Sequence, residues 1–328
     1  MHTLQSTLFF AVAVTTGFVV AVLPGFAQAQ QKFPSKLVRL VVGLPAGSGP
    51  DTTARLIGQR MSESWGQPVV VDNRTGAGGM LAAAQVAKGA PDGYTLLSMG
   101  NFAIIAALQP SLPYDPLKDF AGVTQIGFGA QALIVAPSFG VKSVKELIAL
   151  AQAQPGKIIY SSGGAGSGTH LSGERFRLAA AIKVVNVAFK GGVEALIETL
   201  AGRTHYCFAA LTPALPFIND GKLLALAVTT PQRVPILPDV PAMAETLPDF
   251  KRNETSSGLL APAGTPRRIL NQISKEVARI LSLPDVKERM QAVGFAPAPT
   301  TPEEYDKILR GQIETFSKLV RDAGLRPK

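Results

Sequence analysis

Twice in this chain an apolar, β-branched run ends in a cluster of glycines and then passes into a helix-like pattern. The first stretch is Leu40-Val41-Val42-Gly43-Leu44-Pro45-Ala46-Gly47-Ser48-Gly49-Pro50-Asp51. The second is Ile158-Ile159-Tyr160-Ser161-Ser162-Gly163-Gly164-Ala165-Gly166-Ser167-Gly168-Thr169-His170. Glycine lets the backbone turn sharply and come close to a ligand. The first turn of a helix carries N–H groups with no intrahelical acceptor, and partial positive charge. A strand, a glycine turn and a helix therefore form both a unit of α/β structure and a place for an anion. Two such units far apart in the sequence read either as two surfaces facing one small anion or as ordinary strand–helix connections.

Strands and helices alternate around these turns. Val38 to Gly43 is a short, continuous, β-branched strand. A helix follows from Asp51 to Trp65, with Ala54, Ile57, Met61 and Trp65 on one face. Val69 to Asp72, a helix over Met80 to Lys88 and Tyr94 to Met99 complete a βαβαβ order, which calls for parallel pairing. Ligands of such sheets sit beyond the carboxyl ends of the strands, where Ala46 to Asp51 and Gly100-Asn101 fall. The pattern then repeats: strand Ala132 to Ala136, helix Ser143 to Gln152 with a Ser143–Glu146 capping box, strand Ile158 to Ser161, and a helix from Thr169 to Ala181. Strand Lys183 to Val187, turn Lys190-Gly191-Gly192, helix Val193 to Ala201, and strands Tyr206 to Ala209 and Leu224 to Thr229 make a second α/β lobe. Ser257 to Ala261 reads as a strand returning to the first. The tail is helical, opened by an N-cap at Thr265-Pro266 and by a second capping box, Thr301-Pro302-Glu303-Glu304.

The N-terminus specifies a compartment. Leu8 to Leu23 is almost wholly apolar, Pro24-Gly25 breaks the run, and Ala27-Gln28-Ala29 supplies a small-x-small cleavage pattern. The run is short for a spanning helix, so a signal peptide over residues 1–29 and a periplasmic mature protein are expected rather than a membrane anchor. The lone Cys207 cannot form an internal disulfide and reads as an inert core thiol. At 46% hydrophobic and 17% charged residues the chain is globular rather than disordered. The net charge of +9 is spread among acidic residues, with no basic, aromatic-interleaved patch, so nucleic acid is not an expected partner. It is either a solvated basic surface or a field that draws in anions.

Catalytic patterns fail. Gly47-Ser48-Gly49 does not extend to a dinucleotide fingerprint, since Thr52 occupies the last glycine position. There is no P-loop and no nucleophile elbow. The three histidines, His2, His170 and His205, lack the spacing of a zinc site. Neither metal nor cofactor is expected. A triad is a spatial object, so a secreted hydrolase using Ser167 or Ser48 with His170 stays open as an alternative.

A set of motifs runs in order along the chain: Leu40 to Gly47 with Asp51 and Arg55, Gln67-Pro68-Val69-Val70-Val71-Asp72-Asn73-Arg74 with Gly76-Ala77-Gly78-Gly79, and Ala90-Pro91-Asp92-Gly93-Tyr94-Thr95-Leu96-Leu97. It continues through Leu112-Pro113-Tyr114-Asp115-Pro116, Tyr160 to Leu171, Phe189-Lys190-Gly191-Gly192 and Leu259 to Pro266. In these motifs the chain resembles the Bug-type periplasmic receptors of tripartite tricarboxylate transporters. What the resemblance implies is an α/β two-lobe, Venus-flytrap periplasmic binding protein of type II with mixed, mainly parallel sheets. Lobe 1 would be discontinuous, residues 30–127 plus 252–328, and lobe 2 would be residues 128–251. It further implies capture of a small carboxylate or dicarboxylate by a monomer, for delivery to membrane permease subunits, or a sensing role without a permease. Carried over by position, Ala46, Gly47 and Ser48 offer backbone N–H groups with Asp51 capping the helix, and Asn101 reaches in from the third strand. Ser162, Gly166, Ser167 and Thr169 meet the ligand from lobe 2, with His170 and Lys190 as weaker contacts. Two departures matter: Ala209 stands where the family often has an acid, and Ser256-Ser257 where it often has aromatics. Without that acid the expected ligand carries no amino group.

Overall fold

The short β-branched runs become strands, and the strands gather into two separate sheets. The computed structural model describes residues 33–109, 111–164, 166–250, 256–292 and 294–325, so the expected leader at 1–29 lies outside the described residues. Residues 34–328 form one compact unit. In chain order the elements are β1 (Val38–Val42), α1 (Gly49–Trp65), β2 (Val69–Asn73), α2 (Met80–Ala87), β3 (Thr95–Met99), α3 (Phe102–Leu108) and β4 (Phe120–Gly129). There follow β5 (Gln131–Val135), α4 (Val144–Ala153), β6 (Ile159–Ser162), α5 (Gly168–Ala179), β7 (Val185–Ala188), α6 (Gly192–Leu200), β8 (Tyr206–Ala210), α7 (Leu211–Asn219), β9 (Leu224–Val228) and α8 (Met243–Thr246). The chain closes with β10 (Ser256–Pro262), α9 (Arg267–Ser282), α10 (Pro284–Gln291), β11 (Phe295–Pro297) and α11 (Pro302–Asp322).

The first sheet runs β11-β4-β10-β3-β1-β2. Its β2-β1-β3 portion is parallel, as the βαβαβ order requires, with Leu40 opposite both Val71 and Leu96. β10 enters antiparallel between β3 and β4, which places its first residues beside the carboxyl end of β3. The return of the chain to this sheet is therefore the step that adds antiparallel pairing. The second sheet runs β7-β6-β8-β5-β9, with β6 parallel to β7 and β8, and β5 antiparallel to β8 and β9. Both sheets are mixed. Only Ala130 separates β4 of the first sheet from β5 of the second.

Each sheet buries apolar residues on both faces. In the first, Val41, Leu97, Met99 and Leu260 pack with Ala82, Val86 and Tyr305. In the second, Leu133, Tyr160, Tyr206 and Phe208 pack with Leu147 and Phe176 on one face. Ile134, Cys207 and Ala209 pack with Leu196 and Leu215 on the other. Burial pushes the Cys207 thiol up to about 12, which makes it unreactive as expected. A further cluster joins the two sheets: Ala103, Ile104 and Ala107 of α3 pack on Leu171 of α5 and on Phe316 and Val320 of α11.

The capping box at Thr301 forms in full; at Ser143 only the hydroxyl half forms, because the Glu146 carboxylate takes the Lys142 N–H at 2.9 Å instead. Ser143 accepts from the Glu146 N–H at 3.2 Å, and Thr301 accepts from the Glu304 N–H at 3.3 Å while Glu304 takes the Thr301 N–H at 2.8 Å. The N-cap expected at Thr265 is displaced. The helix starts at Arg267 with Pro266 as its cap residue, because the Thr265 hydroxyl donates to Pro262 O at 2.7 Å and closes the preceding turn instead.

Two glycines give opposite expectations. A Cβ on Gly127, at φ +155°, would lie 2.1 Å from Ala296 O in the neighbouring strand, a backbone atom that cannot rotate away. Gly127→Ala should cost about 2–3 kcal/mol in urea denaturation. Gly311, mid-helix in α11 with nothing within 4 Å of its Cβ position, should gain about 0.5–1 kcal/mol as Gly311→Ala.

Candidate functional site

The first glycine turn is organised by one buried carboxylate. Asp51, 2% exposed, lies in the first turn of α1 rather than at its cap, which is Ser48. Its Oδ2 accepts from Gly47 N–H at 2.9 Å and from Arg55 Nε at 3.0 Å, and its Oδ1 accepts from Asn73 Nδ2 at 2.9 Å. Asn73 also donates to Leu44 O at 3.0 Å and accepts from Arg55 Nη2 at 2.8 Å. Burial by itself would raise the Asp51 carboxyl; the Arg55, Gly47 and Asn73 donors outweigh it and hold it below the usual carboxylate range. The expected role of Asp51 as helix cap is thus corrected. The helix begins two residues earlier, at Gly49, and Asp51 reaches back over that start to pin Gly47.

This changes which N–H groups of the turn are available. Gly47 N–H goes to Asp51, and Ser48 N–H goes to Pro45 O at 3.1 Å. Ala46 and Gly47 are exposed, with Gly47 at φ +80°, a conformation that glycine adopts without strain. Gly49 and Asp51, in the first turn of α1, have no i−4 carbonyl to bond. Ser48 does not use its side chain as a cap, and its Oγ is buried without a hydrogen-bond partner.

Three further unpartnered oxygens gather at the same edge. Asn101, the cap residue of α3, donates Nδ2 to Gly78 O at 2.9 Å, and its Oδ1 has no partner. Ser98 Oγ and Ser257 Oγ are also unpartnered, in residues 0% and 2% exposed. A Cβ at Gly100 would lie 3.1 Å from Pro50, so that face of β3 looks onto the start of α1. Ser98 is two residues back on the same face. Leu259 of β10 pairs with Ser98, which puts Ser257 on that face too, level with the end of β3. Its neighbour Ser256 points the other way and is satisfied by Gln312 on α11, at 2.9 Å. Each buried hydroxyl left unpaired costs about 1–3 kcal/mol.

The second turn is held by its own side chains. Ser162, at the end of β6, exchanges hydrogen bonds with Asn186 of β7, the shorter at 3.0 Å. Thr169 Oγ1 accepts from Gly163 N–H at 2.8 Å and contacts Ser167 Oγ at 2.9 Å. Ser167 caps α5 by accepting from His170 N–H at 3.2 Å. The Gly166 N–H donates to His170 Nδ1 at 3.0 Å, with Gly166 at φ +77°. A Cβ on Gly163 would lie 2.6 Å from Gly192 N, so the Lys190-Gly191-Gly192 turn packs directly against this one. Lys190 itself is exposed, and its N–H is taken by Glu194 at 3.0 Å. These bonds leave His170 Nδ1 as an acceptor for backbone rather than a base for Ser167. His205 is used in the same way, accepting from Ile159 N–H at 2.9 Å.

α3 brings the two turns together. Its first end carries Asn101 against Gly78, beside Pro50 and Gly100. At its other end Leu108 fills the space a Cβ would occupy on Gly166, at 2.2 Å. Seven helical residues span about 10 Å, so the turns lie at the two ends of one short rod. A separate apolar cavity of about 500 Å³, lined by residues such as Phe128, Val234, Ile236 and Phe295, shares no residue with either turn. Ser98 and Asn73 were not among the residues expected from sequence, and Ser257 was marked only as a departure from the family's aromatics. Asn73 carried a signal, being an amide that closes a strand opened by three valines; Ser98 had none, because strand register alone puts it at the site.

Replacing Asp51 with Asn should cost about 1–3 kcal/mol at neutral pH. The stability this carboxylate contributes is complete above about pH 3.8 and is lost as pH falls through its lowered folded value. Urea titrations across the acid range should therefore show a shallower decline for Asp51→Asn than for the parent. His170 gives a second pH window. Burial lowers its pKa below 6.5 against an opposing pull from Glu174, so the unfolded chain protonates first. Its contribution is full above about 6.5 and fades as pH falls from there through the folded value. Protonation would also abolish the acceptor for Gly166 N–H. A His170→Asn variant should lose this acid-limb dependence in the same titration.

Comparison with known proteins agrees with this architecture. The model of the tripartite tricarboxylate transporter family receptor matches residues 53–325. Protein BugT of Bordetella pertussis is 32% identical over 300 residues, covering 90% of this chain and 92% of that protein. The structure of Rpa4515 from R. palustris with adipate superposes with a TM-score of 0.84 at 32% identity, covering 90% of this chain and all of that one. MatC from Rhodopseudomonas palustris with bound malate gives a TM-score of 0.77 at 31% identity, covering 88% and 100%. This chain belongs to the tripartite tricarboxylate transporter receptor family of solute-binding proteins.

Proposed function

We propose that this protein captures a small organic acid between its two glycine turns and presents it to a membrane permease. The observation that carries the reading is the placing of the turns at opposite ends of α3, Asn101 at one end and Leu108 against Gly166 at the other. That spacing, about 10 Å, suits a dicarboxylate with one carboxylate at each turn. Two relatives of the same fold hold adipate and malate, acids of this kind. Helix starts supply donors and positive potential at both ends.

In this reading residues 30–127 with 252–328 form one lobe and residues 128–251 the other. The ligand favours the closed arrangement because only there does it touch both lobes. Ala46, Gly47, Ser48 and Asn101 line one side, and Ser162, Gly166, Ser167, Thr169 and His170 the other, with Lys190 at the rim. Asp51, with its oxygens already engaged by Gly47, Arg55 and Asn73, shapes the first turn rather than meeting the ligand. Capture is an equilibrium, with no bond made or broken. Ala209, buried in β8, offers no charge to an ammonium, which favours acids without an amino group. Residues 1–29 act as the export signal, and the mature protein works as a periplasmic monomer.

A thermal-shift screen of mono-, di- and tricarboxylates and amino acids, followed by calorimetry, tests this. A ligand at a hundred times its Kd should stabilise the native state by about 2.7 kcal/mol. Tight binding of aspartate or glutamate with no binding of dicarboxylates that lack an amino group would overturn the reading.

A further inference from the structure

The strands that join the two sheets lie inside each sheet order rather than at its ends. The chain leaves the first sheet through β4, passes Ala130 and enters β5. It leaves the second core at Phe250 and re-enters the first sheet through β10, the neighbour of β4. Ala130 is held from both sides. Its N–H donates to Gly294 O at 2.9 Å, in the turn before β11, and its carbonyl accepts from Leu211 N–H at 3.0 Å, at the start of α7. A Cβ on Gly294 would lie 2.7 Å from Leu211, so elements of both sheets meet at this junction. In the first sheet β3 and β1, with the first glycine turn, lie on one side of it and β11 on the other. In the second sheet β8 and β6, with the second turn, lie on one side of β5 and β9 on the other.

The apolar cavity of about 500 Å³ occupies the side away from the turns. One wall carries Phe128 and Phe295 of the first sheet, the other Val234 and Ile236 from the segment after β9, with Ala130 between them. Pockets that hold small molecules span about 300–1,000 Å³, and this one falls among them. Glu288 of α10 is the one charged side chain among the described residues that line it, and it is exposed. Arg233, on the facing segment, is taken by Glu245 at 2.8 Å. Apolar walls with a carboxylate at the rim complement an apolar body that carries one positive charge. The net charge of +9 repels cations in general, so such an ion gains nothing from the field of the whole chain.

We infer that this groove is a second ligand site, which takes an apolar primary ammonium ion, and that it is coupled through the Ala130 junction to the capture site at the two turns. Each sheet supplies one wall, so rotation of the sheets about the junction changes the groove width and the separation of the turns in opposite senses. The groove is open in the same arrangement in which α3 spans both turns. An occupant that props the groove open holds the turns together, and a ligand between the turns keeps the groove open, since coupling between sites is reciprocal. The coupling rests on the carboxylate-capture reading above; the ammonium site does not.

Calorimetry of the purified receptor with hexylamine, octylamine and octanol at neutral pH tests the site. The amines should bind saturably, with octylamine about tenfold tighter than hexylamine, because each buried methylene is worth about three- to fourfold. Octylamine should bind a few-fold tighter than octanol, the scale of an exposed ion pair, and octanoate should not displace it. Glu288→Gln should bring octylamine and octanol level. Ala292→Trp, at an exposed position of the groove wall, should abolish amine binding without lowering the melting temperature. Saturating octylamine should tighten whichever of adipate and malate binds by threefold or more, and that acid should tighten octylamine by the same factor. No saturable amine binding, octanol bound as tightly as octylamine, displacement of octylamine by octanoate, or unchanged octylamine binding in Ala292→Trp would overturn the site. Carboxylate affinity unchanged by octylamine would overturn the coupling and leave capture standing. If no carboxylate binds, the capture reading falls with the coupling, and the amine titrations decide the ammonium site by themselves.

Discussion

One carboxylate in the first turn of α1 holds the geometry on which the first half of the site depends. Asp51 lies almost wholly out of water, yet stays ionised because donors from three directions converge on it: a backbone N–H before the helix, a guanidinium one turn later, and an amide from the next strand. A glycine-rich turn has few side-chain contacts of its own and would sample many conformations. Asp51 replaces those missing contacts with charge-assisted hydrogen bonds, which are stronger than neutral ones and more exacting in direction. Arg55 is half exposed, so water screens its share. The Gly47 and Asn73 bonds are the ones that fix the loop to the sheet.

The second turn solves the same problem without a charge. Ser167, Thr169 and His170 close a ring of short-range bonds around Gly163 and Gly166, and Gly192 packs into the space left by the missing Cβ of Gly163. Both turns are thus pinned by hydrogen bonds of their own. α3 then fixes the distance between them, through Asn101 at one end and Leu108 at the other. Its apolar face, Ala103, Ile104 and Ala107, is buried against Leu171, Phe316 and Val320, so the element that spaces the two turns is also the one that joins the two sheets.

Much of the fold is legible along the chain. The β-branched runs at Val38, Val69 and Thr95 form the parallel β2-β1-β3 ribbon their order demands, and the caps at Ser143 and Thr301 start the helices they announce. The failures are local competitions. At Thr265 a hydroxyl had two acceptable partners and chose the turn behind it over the helix ahead. At Asp51 helix-cap chemistry was the right type assigned one turn too late. The site is less legible than the fold. Glycine turns can be found by composition, but whether their N–H groups are free depends on which acceptors fold back onto them.

The sequence by itself determined the class of this molecule: an α/β chain with two strand–glycine–helix turns, repeated motifs in a fixed order, and no spacing that supports a metal or a nucleophile. These follow from periodicity and from the backbone freedom of glycine, which are properties of neighbouring residues. Only the tertiary structure decided which polar atoms are left over. Ser256 and Ser257 are adjacent and chemically identical, yet one is satisfied by Gln312 and the other faces the start of α1 unpaired. That difference arises because successive side chains of a strand point to opposite faces, and because β10 enters antiparallel between β3 and β4, a pairing set by burial of the whole sheet and written in no single segment.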